Sequence, residues 1–187
     1  PAMARIIRRF TVLHQYVDQQ LEQILEDLVA GQRIIGVAVE QANGSAAGPH
    51  PMVGVTFSGF LEPAFARAYR ATPTPLLASQ VYGSITDGKP LLLDRRGQAA
   101  GNLGDGLELV VMEMAVGTSD PSPQAHREVL NLIYSAYLEL LRGFKVRTIM
   151  TEAAEEFELL VEGSGLKTVS RHRLDENAND IVSPPGR

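Results

Sequence analysis

Between Leu107 and Arg173 the hydrophobic period switches between strand and helix four times, with clear punctuation at each change. LELVVMEMAV (107–116) is a ten-residue apolar-rich run and reads as a strand. SPQAHREVLNLIYSAYLELLRG follows as an amphipathic helix. Val129, Leu130, Ile133, Tyr137, Leu140 and Leu141 form its apolar stripe, and Glu128, Asn131, Ser135 and Glu139 face out. Ser122 carries a hydroxyl that accepts a bond from a first-turn amide, and Pro123 suits the first helical position, where an N–H would have no partner. Gly143 ends the helix. KVRTIMTE then reads as a short strand, AAEEFELLVEGSG as a second helix and LKTVSRHR as a closing strand.

The first half is organised in the same way. ARIIRRF is an edge strand, with Ile6 and Phe10 on one face and Ile7 on the other. Thr11 caps a helix that runs to about Ala30, with Gly31 as a left-handed stop. Leu13, Val17, Leu21, Ile24, Leu25 and Leu28 recur at spacings of three and four. Two readings fit that stripe: a helix laid over a sheet, or a homodimer seam, because Val17, Leu21, Ile24 and Leu28 follow a heptad-like pattern. IIGVAVEQ and PMVGVTFSGF are strands joined by the flexible loop ANGSAAGPH, and Val53, Val55 and Phe57 alternate with Gly54, Thr56 and Ser58. Between Leu61 and Gly106, EPAFARAYRA and PLLASQVYGSI read as short helices, with Pro73 and Pro75 between them. DRRGQAAGN adds a turn capped by Asp94, and the whole region is expected to be a lid or loop. The fold class is therefore α/β, a mixed central sheet flanked by helices in one domain over 3–173. RLDENANDIVSPPGR supplies a polar linker or disordered tail over 174–187.

Composition narrows the function classes. A chain of 187 residues is long enough to bury a core without disulfides or metals. The absence of cysteine removes thiolate nucleophiles and Cys-based zinc sites, and it fits a cytoplasmic protein. No apolar run approaches the ~20 residues that cross a bilayer. A net charge of −5 argues against direct nucleic-acid binding, and Arg5/Arg8/Arg9 and Lys167/Arg171/Arg173 read as solvated element ends. The initial PAM reads as a cloning remnant, so Pro1 and Ala2 are set aside.

The usual catalytic signatures are missing. His14, His50, His126 and His172 are scattered, so no metal site is expected. Neither Ser84 nor Ser119 lies in a nucleophile elbow. GQAAGNLGDG matches no phosphate-loop pattern, and Glu155/Glu156 form a solvated face.

The order strand, helix, hairpin, strand, helix, strand, helix, strand resembles the Gcn5-related N-acetyltransferase superfamily over about 130 residues. AAEEFELLVEGSGLKTV is similar to that family's late helix and Gly-aromatic turn, with Gly165 and Leu166 at the turn. The resemblance implies that Leu107–Val116 splays from Val146–Met150 and that acyl-CoA enters the gap. Its pyrophosphate would rest on backbone amides at the following helix N-terminus, where unpaired donors and the helix dipole attract an anion. Here the corresponding loop is AVGTSDPSPQAHRE. It implies amides near Gly117, Thr118 and Ser119, together with Gln124, as the cofactor-binding set. Asp120 adds negative charge to that loop, and Pro121 and Pro123 each delete a donor. Glu113 falls where some family members keep a general base, although the outward position of an alternating strand is the plainer reading. The place of the family's proton-donating Tyr is taken by Leu159 or Val161. LLLDRRGQAAGNLGDGLELVVMEMA also resembles regions found upstream of LuxR-type helix-turn-helix domains.

Together these features predict a regulatory or sensor module of acetyltransferase-like fold, non-catalytic or weakly catalytic, with a small-molecule ligand or protein partner. The alternative is an acyl-CoA-dependent N-acyltransferase with a divergent pyrophosphate loop.

Overall fold

A computed structural model describes residues 18–41, 51–117, 122–152 and 166–170, with the backbone alone at residues 18, 19 and 21. The described elements are α1 (Asp18–Ala30), β1 (Ile34–Glu40), β2 (Met52–Phe60), α2 (Pro63–Ala71), α3 (Leu77–Thr86), α4 (Arg95–Leu103), β3 (Leu107–Val116), α5 (Pro123–Leu141) and β4 (Val146–Thr151). The four strands lie in the order β1-β2-β3-β4. The first two pairings are antiparallel. The third is parallel, with α5 as the crossover. The expected class, α/β with a mixed sheet between helices, is the observed one.

Strand composition follows position in the sheet. β1 is half exposed in alternation, whereas β2 is buried from Val53 to Phe60. β3, beside it, is buried or half-buried throughout, because helices cover both faces. On one face Val55, Phe57, Val110 and Met112 pack with Ile24 and Leu28 of α1 and with Val81 and Tyr82 of α3. On the other, Phe60, Leu107 and Leu109 meet Tyr137 and Leu141 of α5, and Val53 meets Val129 and Ile133.

Several sequence expectations change here. The region from Leu61 to Gly106 is core rather than lid: its three helices bury Ala66, Leu77, Ala78, Val81, Tyr82 and Gln98. Small residues there permit close packing, which reads like looseness in a bare sequence. Asp94 does cap α4, accepting from Gly97 N at 2.9 Å. The left-handed residue closing α1 is Gln32 (φ 50°), not Gly31. Arg33 N bonds to Leu28 O and Gln32 N to Val29 O, the double bond of a Schellman stop with Gln32 in the left-handed place. The Gln98 side chain holds that turn by donating to Gln32 O at 2.9 Å.

Ile24 and Leu28 of the heptad-like pattern are 1% and 0% exposed within the single chain, so they are spent on the core and do not form a dimer seam. Val17 and the Leu21 side chain lie outside the described residues. LKTVSRHR forms no strand over Leu166–Ser170, where Val169 is 82% exposed. A segment with so little apolar area to bury does not offset the entropy of ordering a strand. ARIIRRF, the loop ANGSAAGPH, the helix AAEEFELLVEGSG and the tail 174–187 lie outside the described residues.

The fit between β2 and α5 is tight at Gly54. A Cβ built there would stand 2.6 Å from Val129 Cγ1 and 2.8 Å from Ile133 Cδ1. Both are buried, β-branched side chains with little freedom to move. Gly54→Ala should therefore cost ~1–3 kcal/mol through overpacking, read as a lower urea midpoint with an unchanged slope.

Candidate functional site

The candidate site begins with a register slip. Phe57 pairs with Glu113 and Ser58 with Val111, so Met112 is one residue too many on β3, a β-bulge. Bulges re-aim the side chains that follow them. Before the slip, Leu107 and Leu109 face α5; after it, Met114 and Val116 do. Unbroken alternation from Leu109 would send Glu113 toward α5. The extra residue instead turns it to the α3 face, beside Tyr82. Thr56, itself fully buried, donates its hydroxyl to Glu113 O at 2.8 Å and secures the bulged backbone.

Glu113 is thus not the outward residue of an alternating strand. It is 5% exposed, and the Tyr82 hydroxyl donates to its Oε1 at 3.3 Å. Burial pushes its carboxyl up to about 8, opposed in part by that hydrogen bond. The neutral acid is therefore the main form at pH 7.

The bulge also marks where β3 loses a neighbour. β4 pairs with it from Leu107↔Val146 to Val111↔Thr151. The expected splay is absent over this half. Met112–Val116 run on past the last pairing, without a strand neighbour on that side among the described residues. Glu152 stands one residue beyond β4, and its Oε2 accepts from Ala78 N at 3.3 Å. α3 has no side-chain cap of its own, and its N-cap residue Leu76 is left-handed (φ 63°). Glu152 therefore places a carboxylate at an otherwise uncapped helix N-terminus, a favourable site for negative charge. Ala78 and Tyr82, one helical turn apart, tether α3 to Glu152 just past β4 and to Glu113 of β3. Tyr69 of α2 is pushed up to about 12 by burial and by the charge of Glu152.

At the strand-to-helix junction that follows β3, several donors of the described residues bond within the protein. Gly117 N donates to Val53 O at 2.9 Å, continuing the sheet. Ser122 caps α5: its hydroxyl accepts from Ala125 N and its carbonyl from His126 N, both at 3.2 Å. Pro123 has no N–H to offer. The Gln124 side chain donates to Glu128 at 3.0 Å along the helix. Thr118 and Ser119 lie outside the described residues. Of the proposed set, Glu113 is thus on the α3 face, Gly117 bonds across the sheet to Val53, and the Gln124 side chain bonds along its own helix. Among the described residues, no three metal-ligating side chains converge.

Sequence reasoning passed over Tyr82, Thr56 and Glu152. Tyr82 sits in a helix otherwise composed for the core, and nothing local marks its partner, 31 residues away. The motif LVVMEMA does carry one signal: an acidic residue enclosed by apolar neighbours.

The described architecture has distant likenesses among solved structures. An acetyltransferase from Trypanosoma brucei shares 11% identity at a TM-score of 0.49, with 93% of this chain and 90% of that one covered. A tetramutant of a Bacillus halodurans protein shares 10% at a TM-score of 0.44, covering 84% and 72%. Neither carries a residue role across. No protein-family model and no curated protein matches the chain.

Glu113 should make stability depend on pH. Its carboxyl ionises near 4.5 when free and near 8 in the fold. The unfolded chain therefore loses its proton first, and the stability held below the lower value is lost as pH rises through the upper one. Glu113→Gln, which does not ionise, should gain on the wild type by up to ~1.4 kcal/mol per pH unit across that window. Urea unfolding at several pH values between the two checks this; parallel curves for the two proteins contradict it.

Proposed function

We propose that this chain is a ligand-responsive regulatory module on an acetyltransferase-like scaffold, the sensor part of a transcriptional regulator. It does not bind acyl-CoA in the family's usual manner. The observation that carries this reading is how the described amides on either side of the strand-to-helix junction are used. A pyrophosphate needs several outward amides there. Gly117 gives its amide to Val53, and Ala125 and His126 give theirs to Ser122. Pro123 contributes none, and Asp120 brings negative charge to the same loop. A ligand would have to break internal bonds to replace them, and each such exchange lowers its net affinity. The resemblance of LLLDRRGQAAGNLGDGLELVVMEMA to regions preceding LuxR-type domains supports the regulatory assignment.

A second reading has its own observation. Glu113 lies in the half of β3 that has no β4 partner, with a carboxyl near 8, close to the range in which a general base works well at neutral pH. In an N-acyltransferase it would take a proton from an amine as the amine nitrogen attacks a thioester carbonyl. The coenzyme thiolate would then leave.

Acetyl-CoA separates the two readings. A ligand at a hundred times its dissociation constant stabilises by ~2.7 kcal/mol, which for a chain of this length raises the melting point by roughly 5–11 °C. The regulatory reading expects no such rise at millimolar acetyl-CoA. A rise of that size, with amine-dependent release of free thiol that Glu113→Gln abolishes, would establish the transferase instead.

A further inference from the structure

Glu108, the second buried acid of β3, is handled differently from Glu113. It lies on the α2 side of the sheet, and its side chain is 5% exposed. Arg147 of β4 donates from Nη2 to Oε1. Arg70 of α2 brings Nη1 within 3.0 Å of Oε2, as an ion pair outside hydrogen-bond alignment. The same Nη1 lies 3.5 Å from the Thr148 hydroxyl.

A single buried carboxylate thus gathers two guanidiniums from different elements at its two oxygens. Two positive charges against one leave a surplus of one. The arginine side chains remain 37% and 48% exposed, so this surplus stands at the surface while its anchor is buried. Each guanidinium has five N–H donors in a rigid fork, and one nitrogen of each accounts for the contacts above. Preorganised forks of this kind suit the paired oxygens of a carboxylate or phosphate. Glu152, one residue beyond β4, is engaged at Ala78 N rather than at these arginines.

We propose that Arg70 and Arg147, oriented by Glu108, form an anion-binding subsite in the seam between α2 and β4. It takes the carboxylate or phosphate group of a small-molecule ligand. This deepens the ligand-responsive reading by naming the class of ligand. It stands apart from the acyl-CoA test, which probes the α5 N-terminus, so either can fail alone.

The experiment is calorimetric titration of the whole chain with sodium phosphate and, separately, sodium acetate, each against sodium chloride at matched ionic strength. Saturable phosphate binding is expected, weakened about ten-fold in Arg147→Gln, the worth of one charge-assisted hydrogen bond. It should be unchanged in Arg142→Gln, whose side chain pairs with Glu139 on α5. Acetate binding with the same dependence on Arg147 identifies a carboxylate-tolerant site, and phosphate binding alone identifies a phosphate site. If Arg147→Gln does not fold, Arg147→Lys keeps the charge and loses the fork, and should still bind more weakly than wild type. Saturation by neither anion, or equal affinity in the Arg147 variant, overturns the proposal and leaves the triad as a structural clamp.

Discussion

One extra residue in a fully covered strand organises this molecule. β3 has helices over both faces, so every position along it is committed to one face or the other. Inserting Met112 between two stretches in register reverses that commitment from Glu113 onward. The reversal places a carboxyl group among apolar side chains, an arrangement the fold sustains because Thr56 holds the bulged carbonyl and Tyr82 serves the acid. Without the slip, Glu113 would meet α5, and Met114 would take its place beside α3. The geometry of the candidate site is a consequence of strand register.

The two acids of β3 show how surroundings divide one chemistry into two roles. Glu108 is buried with guanidiniums at both oxygens. Glu113 has a single neutral hydroxyl, which offsets only part of the cost of burial, so desolvation dominates and the proton stays on. A third acid, Glu152, serves a helix end instead. Together these contacts stitch α2 and α3 to β3 and β4.

At the start of α5 the same physics works toward closure. First-turn amides are strong donors, and they bind either the protein's own acceptors or a ligand. Here Ser122 supplies both its hydroxyl and its carbonyl, Val53 takes the amide of Gly117, and Pro123 removes one donor outright. Such a helix start is well capped by the protein's own groups.

The sequence by itself determined most of the described elements. Ser122 and Asp94 announced helix starts through the hydrogen bonds that they accept locally, and Pro123 through the N–H that it lacks. The nearly unbroken apolar run of β3 marked a strand, and the class of fold followed from the order of periods. These signals survive in one dimension because capping and periodicity act over a few neighbouring residues. Only the tertiary structure decided that Leu61–Gly106 is core and that Gln32 rather than Gly31 turns the chain. It also decided that Glu113 points inward and that Glu108 draws Arg70 and Arg147 to itself. Each of these rests on partners tens of residues away, and a bulge leaves no trace in composition. Strand register is set by the balance of packing on both faces at once, a quantity that exists only when the sheet and its helices have come together.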